Sequence, residues 1–272
     1  MDGITVAERS GTGKSGASGN NASRWRVFHD KFVVEECYME PDARKGLYRT
    51  AVVLIGFGIV LFIATLVGVL QWSGLSAADE SVRNWLLTLR WEPLTAVMIF
   101  LAVVFGPIAL PIIVLVVTVV WGFAAKHAWR PIVLAAAMLT GVLVSQIILQ
   151  IVRRSRPPLE LMLFGADHTF SFPSGHVLGA CDFLLVTAFL IFSRRENPRA
   201  AVIGFVGAGV GILLASVSRL YLGYHWVSDA LASIFLSLVI LGAAIALDTW
   251  RTARIPGEPI AGELSRADAP GD

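Results

Sequence analysis

The chain has 272 residues, of which 56% are hydrophobic and 15% charged, and its mean hydropathy is +0.70. Soluble domains average about a quarter charged residues, so this composition is typical of a membrane protein. The formal net charge of +2 is too small to indicate a nucleic-acid-binding protein. The two cysteines, Cys37 and Cys181, lie in the N-terminal arm and in an apolar run, which argues against a disulfide framework.

Long uncharged runs predict six membrane spans. The first run, 51–70, has twenty residues, the length at which a helix crosses the hydrocarbon layer. The run 94–125 is too long for one upright span, and Gly106, Pro107 and Pro111 predict a kink within it. The remaining spans are predicted at 131–152, 177–193, 200–217 and 230–247. The sequence therefore predicts an all-α fold, an integral membrane bundle of six helices.

Polar segments flank this bundle. We expect residues 1–46 to form a disordered cytoplasmic arm, because Gly, Ser, Asn and Thr are abundant in its first half. The bundle domain is predicted over 47–250, and a flexible cytoplasmic tail over 251–272. Within 72–93, apolar residues recur at helical spacing and predict a short amphipathic helix at the membrane interface.

The placement of lysine and arginine predicts the orientation of the bundle in a cell membrane. If both termini are cytoplasmic, most basic residues lie on the cytoplasmic side, as the positive-inside rule expects. The opposite side then holds six arginines, and four of these lie at the ends of only two spans: Arg153, Arg154, Arg156 and Arg219. Arginines on the side that should be poor in positive charge indicate a function there.

Three polar clusters interrupt the apolar pattern. Arg153-Arg154-Ser155-Arg156-Pro157 ends the third span, Pro173-Ser174-Gly175-His176 begins the fourth, and Ser218-Arg219, His225 and Asp229 join the fifth to the sixth. The end of an odd span and the start of the next even span lie on the same side of a membrane. All three clusters are therefore predicted at one face, the extracytoplasmic one in this orientation.

The residue types in these clusters suit phosphoryl transfer. Arginine forks match phosphate oxygens, and Ser174 and Gly175 precede a helix whose first N–H groups can bind an anion. His225 and Asp229 are four residues apart, so the carboxylate can fix the imidazole tautomer and leave the other ring nitrogen free to attack. His176, from a different helix, can protonate the leaving oxygen. Arginines supply the positive charge and the histidine spacing is unlike a zinc site, so we expect no metal and no other cofactor.

The clusters resemble the signature of the type 2 phosphatidic acid phosphatase (PAP2) superfamily, which comprises Lys-x6-Arg-Pro, Pro-Ser-Gly-His and Ser-Arg-x5-His-x3-Asp segments. The second and third segments are complete in this chain, and the resemblance extends over about 78–247. The first segment departs from the pattern, because Leu149 occupies the lysine position. Arg153, one helical turn further on, could supply the missing charge, and Arg154 falls where many relatives have a second arginine.

The resemblance implies a role for each matching residue. It implies a phosphohistidine on His225, oriented by Asp229, with His176 as the general acid. It also implies that Arg156, Ser174, Gly175 and Arg219 hold the phosphate, and we add Arg153 and Arg154 to these candidate phosphate-binding residues.

The function implied by the resemblance is metal-independent hydrolysis of a lipid phosphate or diphosphate. The expected partners are the bilayer and the lipid substrate, which could be an isoprenoid diphosphate, phosphatidylglycerophosphate or phosphatidic acid; no oligomeric state is predicted. Two alternatives stay open. One is a phosphotransferase that moves the phosphoryl group to a lipid or sugar, and the other is a membrane binding or transport protein with weakened catalysis, which Leu149 keeps open.

Overall fold

The computed structural model describes residues 36–125, 127–193 and 197–259. Within these ranges the chain forms strands β1 (Cys37–Tyr38) and β2 (Ala253–Arg254) and helices α1 (Pro41–Gln71), α2 (Asp79–Thr88), α3 (Glu92–Val104), α4 (Ala109–Ala124), α5 (Trp129–Val152), α6 (Gly175–Phe192), α7 (Pro198–Tyr221) and α8 (Val227–Thr252). Single 3₁₀ turns occur at Gly74–Ala78 and Leu159–Leu161.

The long helices provide the membrane spans. Helices α1, α5, α6, α7 and α8 are each long and apolar enough to cross a membrane, and the bent pair α3 and α4 makes up to a sixth span. The axes of α3 and α4 differ by 51°. Gly106 lies at this break, where an added Cβ would come within 2.7 Å of the Ala102 carbonyl oxygen, so the tight bend needs a residue without a side chain. The predicted kink and the all-α multi-pass fold are confirmed.

Helix α8 is the most buried of the spans and packs along α1 and against α5 and α6. Small residues allow the close approach, as is common between helices in membranes. A Cβ on Gly242 of α8 would come within 2.8 Å of the Ala51 carbonyl oxygen of α1. The largest apolar core joins residues of these four helices, among them Leu134, Leu178 and Leu241. This packing holds both ends of α8 in fixed positions.

The ends of the bundle differ from the predicted boundaries at 46 and 251. Helix α1 begins at Pro41, and strands β1 and β2 pair in parallel just before α1 and just after α8. Buried Glu36 accepts a hydrogen bond from Arg254, so the two flanks hold each other in place. Residues 1–35 and 260–272, which make up most of the predicted arm and tail, lie outside the described residues.

Helix α2 is the short helix predicted between the first two spans. It lies against α7 and α8, exposes Trp85 and buries its first residue, Asp79. A large exposed aromatic residue beside a polar surface is typical of a helix at the membrane interface. Helix α2 therefore marks the end of the bundle at which the loops after α5 and α7 also lie.

Candidate active site

The structure brings residues of all three polar clusters together at one end of the bundle. Nη1 of Arg156, which follows α5, lies 3.1 Å from Nε2 of His225, between α7 and α8. The backbone N–H of Ser174, which precedes α6, points to the Asp229 carbonyl at 3.5 Å. His176, in the first turn of α6, lies close enough to Arg156, Arg219 and His225 to interact with them electrostatically. Two imidazoles and two guanidinium groups therefore share one site.

His225 has a defined tautomer. Its Nδ1 lies 2.9 Å from the Ser171 carbonyl oxygen and 3.4 Å from Oδ2 of Asp229, and both oxygens can only accept a hydrogen bond. Nδ1 must therefore carry the ring proton, which leaves a lone pair on Nε2. The same lone pair accepts the hydrogen bond from Nη1 of Arg156. Nε2 is thus an unprotonated nitrogen held beside a positive charge.

The ionisation of His225 is set by burial and by its cationic neighbours. Burial lowers the pKa of His225 well below its usual value, and the charges of Arg156 and Arg219 lower it further, while the Ser171 carbonyl opposes both. At neutral pH the imidazole is therefore neutral, which is the form in which Nε2 can act as a nucleophile.

The guanidinium of Arg156 is held on several sides. It donates from Nη1 to the Tyr224 carbonyl at 2.8 Å, and from Nε and Nη2 to the carbonyl and the hydroxyl of Thr169 at 3.0 and 2.9 Å. Nη2 also forms an ion pair with Asp167 at 3.0 Å. Together with His225, these acceptors use all five N–H groups of the arginine. A phosphate that binds Arg156 must therefore replace one of them, and the partly exposed Asp167 is the easiest to displace.

Several buried polar atoms have no hydrogen-bond partner among the described residues, and three of them belong to the polar clusters. They are Nε of Arg154, Oγ of Ser174 and Nε of Arg219, and the guanidinium carbon of Arg219 also lies 4.2 Å from the centre of the Tyr224 ring. Buried polar atoms are nearly always paired, so such atoms are candidates for contact with a bound ligand. Gly175 begins α6, and an added Cβ there would have no neighbour within 4 Å. The N-terminus of α6 is therefore open to an anion.

Arg154 contacts two of the buried carboxylates of the site. Its guanidinium is buried and donates to Asp229 from Nη1, to Ser228 Oγ from Nη1 at 2.8 Å, and to Asp79 from Nη2 at 2.6 Å. Nη1 thus binds the Asp229 oxygen that is not the one next to His225, and Nη2 binds Asp79. Arg154 therefore holds the Asp229 carboxylate, and a contact of its remaining Nε with phosphate stays a prediction.

Arg153 lies on the surface instead. It ends α5 in a left-handed conformation with φ of 49°, and its side chain is exposed whereas that of Arg154 is buried. The guanidinium donates from Nε to the Gln150 carbonyl at 2.9 Å and lies 6.0 Å from the Phe170 ring centre. Replacement of the lysine charge missing at Leu149 by Arg153 stays a prediction.

Sequence reasoning missed several residues that position the site. Asp167, Thr169 and Ser171 belong to the loop between α5 and α6, and each contacts Arg156 or His225. Asp79 binds Arg154 and Ser228 from α2. Loop residues that act through single contacts show no periodic pattern, so the sequence did not reveal them. For Asp79, the available sequence feature was its position as an acidic residue at the start of a predicted interfacial helix.

The chain is similar to known bacterial membrane phosphatases. Residues 130–253 match the PAP2 superfamily. Phosphatidylglycerophosphatase B of Bacillus subtilis (strain 168) is 26% identical over 184 residues, which cover 67% of this chain and 89% of that protein. Phosphatidylglycerophosphatase B of Escherichia coli (strain K12) is 34% identical over 88 residues, which cover 32% of this chain and 31% of that protein.

A solved structure supports the same fold. The crystal structure of the first transmembrane PAP2 type phosphatidylglycerolphosphate phosphatase, from Bacillus subtilis, matches with a TM-score of 0.63 and 23% identity over 71% of this chain and 96% of that one. The fold and the matched region define a multi-pass membrane protein with a PAP2 domain. Residues 130–253 thus form a PAP2 superfamily domain, and the chain is a membrane-bound lipid phosphate phosphatase, which confirms the predicted class of function.

Proposed function

We propose that the protein hydrolyses phosphatidylglycerophosphate, or a closely similar lipid phosphomonoester, through a phosphohistidine on His225. The observation that carries this proposal is the position of the unprotonated Nε2 of His225, 3.1 Å from Nη1 of Arg156. A nucleophilic nitrogen beside a planar cation is the pairing that attack on a phosphorus atom requires. The names of the bacterial relatives place phosphatidylglycerophosphate first among the substrates to test.

Phosphate binding would use the groups that the folded chain leaves available. Arg219 and the hydroxyl of Ser174 each offer an unpartnered buried donor, and the N-terminus of α6 offers the Gly175 N–H. Arg156 joins them when the phosphate replaces Asp167 as acceptor. Positive groups that are already in position stabilise the charge on the transferring phosphoryl group without the cost of reorganisation.

The reaction then has two steps. Nη1 of Arg156 turns its N–H from Nε2 of His225 to a phosphate oxygen, which frees the Nε2 lone pair. Nε2 then attacks phosphorus, the bond from phosphorus to the lipid oxygen breaks, and His176 gives its proton to that oxygen. The carboxylate of Asp229 stabilises the positive imidazole through Nδ1–H. In the second step His176 takes a proton from water, the water oxygen attacks phosphorus, and the phosphorus–nitrogen bond breaks to release phosphate. The negative phosphate favours the protonated form of His176 when the first step begins.

The sidedness of the site is also part of this proposal. Arg130, Arg251 and Arg254 lie at the opposite end of the bundle from His225, near the first residues of α5 and the last of α8. The positive-inside rule assigns that end to the cytoplasm. Both termini are then cytoplasmic, and the lipid phosphate is hydrolysed at the extracytoplasmic surface.

A phosphate-release assay tests the proposed function. The purified full-length chain in detergent, with EDTA present, is given phosphatidylglycerophosphate, phosphatidic acid or an isoprenoid diphosphate, and free phosphate is measured for wild type and His225→Ala. We expect release by wild type alone and the highest kcat/KM with phosphatidylglycerophosphate. Transfer of the phosphoryl group to an added lipid or sugar, without free phosphate, would favour a phosphotransferase instead. Equal release by both proteins would reject His225 as the nucleophile.

The pH dependence of kcat/KM gives a further prediction. Because the pKa of His225 is lowered, the imidazole stays neutral as the pH falls through about 6.5 and becomes protonated only at more acidic pH. We therefore expect the acid limb of kcat/KM, after correction for the ionisation of the substrate phosphate, to lie below pH 6.5. A corrected midpoint at or above that pH would show that His225 is protonated as easily as an exposed histidine.

A further inference from the structure

Asp79 is a buried carboxylate on a short surface helix. It is the first residue of α2, and only 3% of its surface is exposed. Its Oδ1 accepts the Ser228 N–H at 2.9 Å, and its Oδ2 accepts the Ser228 hydroxyl at 2.7 Å and Nη2 of Arg154 at 2.6 Å. Burial of a charge is costly unless it is paired and hydrogen-bonded, and Asp79 meets both conditions.

These contacts connect Asp79 to His225. Nη1 of Arg154 donates to Oδ1 of Asp229, and the other oxygen of Asp229 accepts the Trp226 N–H at 2.9 Å and lies 3.4 Å from Nδ1 of His225. The connected side chains are Asp79, Arg154, Asp229 and His225, and water is nearly excluded from all of them. Each is held by the next, so a change at Asp79 reaches Asp229 through Arg154.

The charges in this series explain why a second carboxylate is needed. If Asp229 alone faced Arg154, the two charges would cancel, and little negative charge would remain to stabilise a positive His225. With Asp79 on the other side of Arg154, two carboxylates share one guanidinium. The three side chains together then keep a net charge of −1 beside Nδ1–H of His225. A negative charge next to the His225 ring, in a site that nearly excludes water, favours the imidazole cation that forms during attack.

We propose that Asp79 is a positioning residue for phosphoryl transfer, which acts through Arg154 to hold Asp229 in the orientation and charge state that His225 requires. The inference rests on the proposed function, since it assigns Asp79 a part in the reaction of His225. It also connects α2, the helix predicted at the membrane interface, to the site.

Capping of α8 is a second role that the same contacts could serve. A carboxylate near the start of a helix accepts free N–H groups and interacts favourably with the helix dipole, and Ser228 lies in the first turn of α8. Capping alone would change the stability of the protein and leave kcat as it is in the folded fraction. Positioning would lower kcat in fully folded protein, so the kinetic parameters distinguish the two roles.

The test compares Asp79→Asn with Glu80→Gln in the purified full-length chain. Glu80 is the exposed neighbour in the same helical turn, so its replacement removes the same charge from the same helix end without touching Arg154. For phosphate release, we expect kcat of Asp79→Asn to fall on the order of tenfold to a hundredfold, by analogy with the loss when a partner that orients a metal-binding histidine is removed. We expect KM to change less than about threefold, because no phosphate-binding group is altered. A kcat equal to that of Glu80→Gln, or an effect confined to KM, would overturn the proposal.

A double-mutant cycle tests the route through Arg154. If Asp79 acts through Arg154, adding Asp79→Asn to Arg154→Gln should lower kcat less than Asp79→Asn does alone. Losses that simply multiply would mean that Asp79 acts by another route. If Asp79→Asn does not yield folded protein, Ser228→Ala removes one contact of the Asp79 carboxylate and one contact of Arg154, which both belong to the proposed route. It is compared with Ser216→Ala, whose hydroxyl binds the Ile212 carbonyl of its own helix. Lower kcat in Ser228→Ala alone supports the proposal, and equal kcat overturns it.

The His225→Ala variant separates this inference from the proposed function. Phosphate release by His225→Ala at the wild-type rate would reject the proposed function itself. Release by Asp79→Asn at the wild-type rate, with His225→Ala inactive, would reject only the role of Asp79.

Discussion

Replacement of His225 by alanine is expected to lower kcat/KM for phosphate release by on the order of 10⁴-fold or more, because the atom that attacks phosphorus is removed. Release is measured in detergent with the preferred lipid phosphate. The covalent intermediate gives a second measurement: acid-labile radioactive phosphate should attach to wild type after rapid quenching of a reaction with labelled substrate, and none should attach to His225→Ala.

The control for this variant is His168→Ala. His168 lies in the loop between α5 and α6 and its side chain is exposed, so it tests whether loss of any histidine near the site has the same effect. We expect His168→Ala to label and to turn over like wild type. Labelling of His225→Ala at the wild-type level would place the covalent phosphate on another residue and end the proposed mechanism.

Replacement of His176 by alanine should have the second largest effect, and its size should depend on the leaving group. With a lipid phosphate the leaving oxygen is a poor one and needs a proton, so loss of the general acid should lower kcat/KM by about 10²–10⁴-fold. With an aryl phosphate such as p-nitrophenyl phosphate, the leaving oxygen is stable without a proton, and the loss should be much smaller. The parameter kcat/KM is the right one to compare, because it reports the first irreversible step.

The matched comparison is again with His225→Ala, which should lose activity with both substrates because the nucleophile acts on each of them. An equal loss for His176→Ala with the lipid and the aryl phosphate would show that His176 binds or orients the phosphate and does not protonate the leaving oxygen.

Much of the fold followed from patterns that the bilayer imposes. A helix needs a minimum length of apolar sequence to cross hydrocarbon, so the runs at 51–70 and 131–152 predicted the spans within α1 and α5. The break at Gly106 was also predictable, since glycine and proline interrupt helices for local steric reasons. The shared position of the three polar clusters followed from the order of the spans alone.

The flanks of the bundle were less predictable. The pairing of β1 with β2 joins Cys37–Tyr38 to Ala253–Arg254, and two residues on each side carry no recognisable strand pattern. The ion pair of Arg44 with Glu258 adds a second contact between the same flanks. Polar composition suggested flexible ends, but contacts between distant parts of the chain order residues on both sides.

The sequence by itself determined that this is a helical membrane protein with a phosphoryl-transfer signature, because span length, motif spacing and span order are properties of neighbouring residues. Only the tertiary structure decided which of two adjacent arginines is buried, since the acceptors of Arg154, Asp79 and Asp229, come from distant helices. It also brought Asp79 to Ser228, 149 residues later in the chain. Packing of α2 against α8 creates that contact, and local sequence patterns do not predict which distant helices pack together.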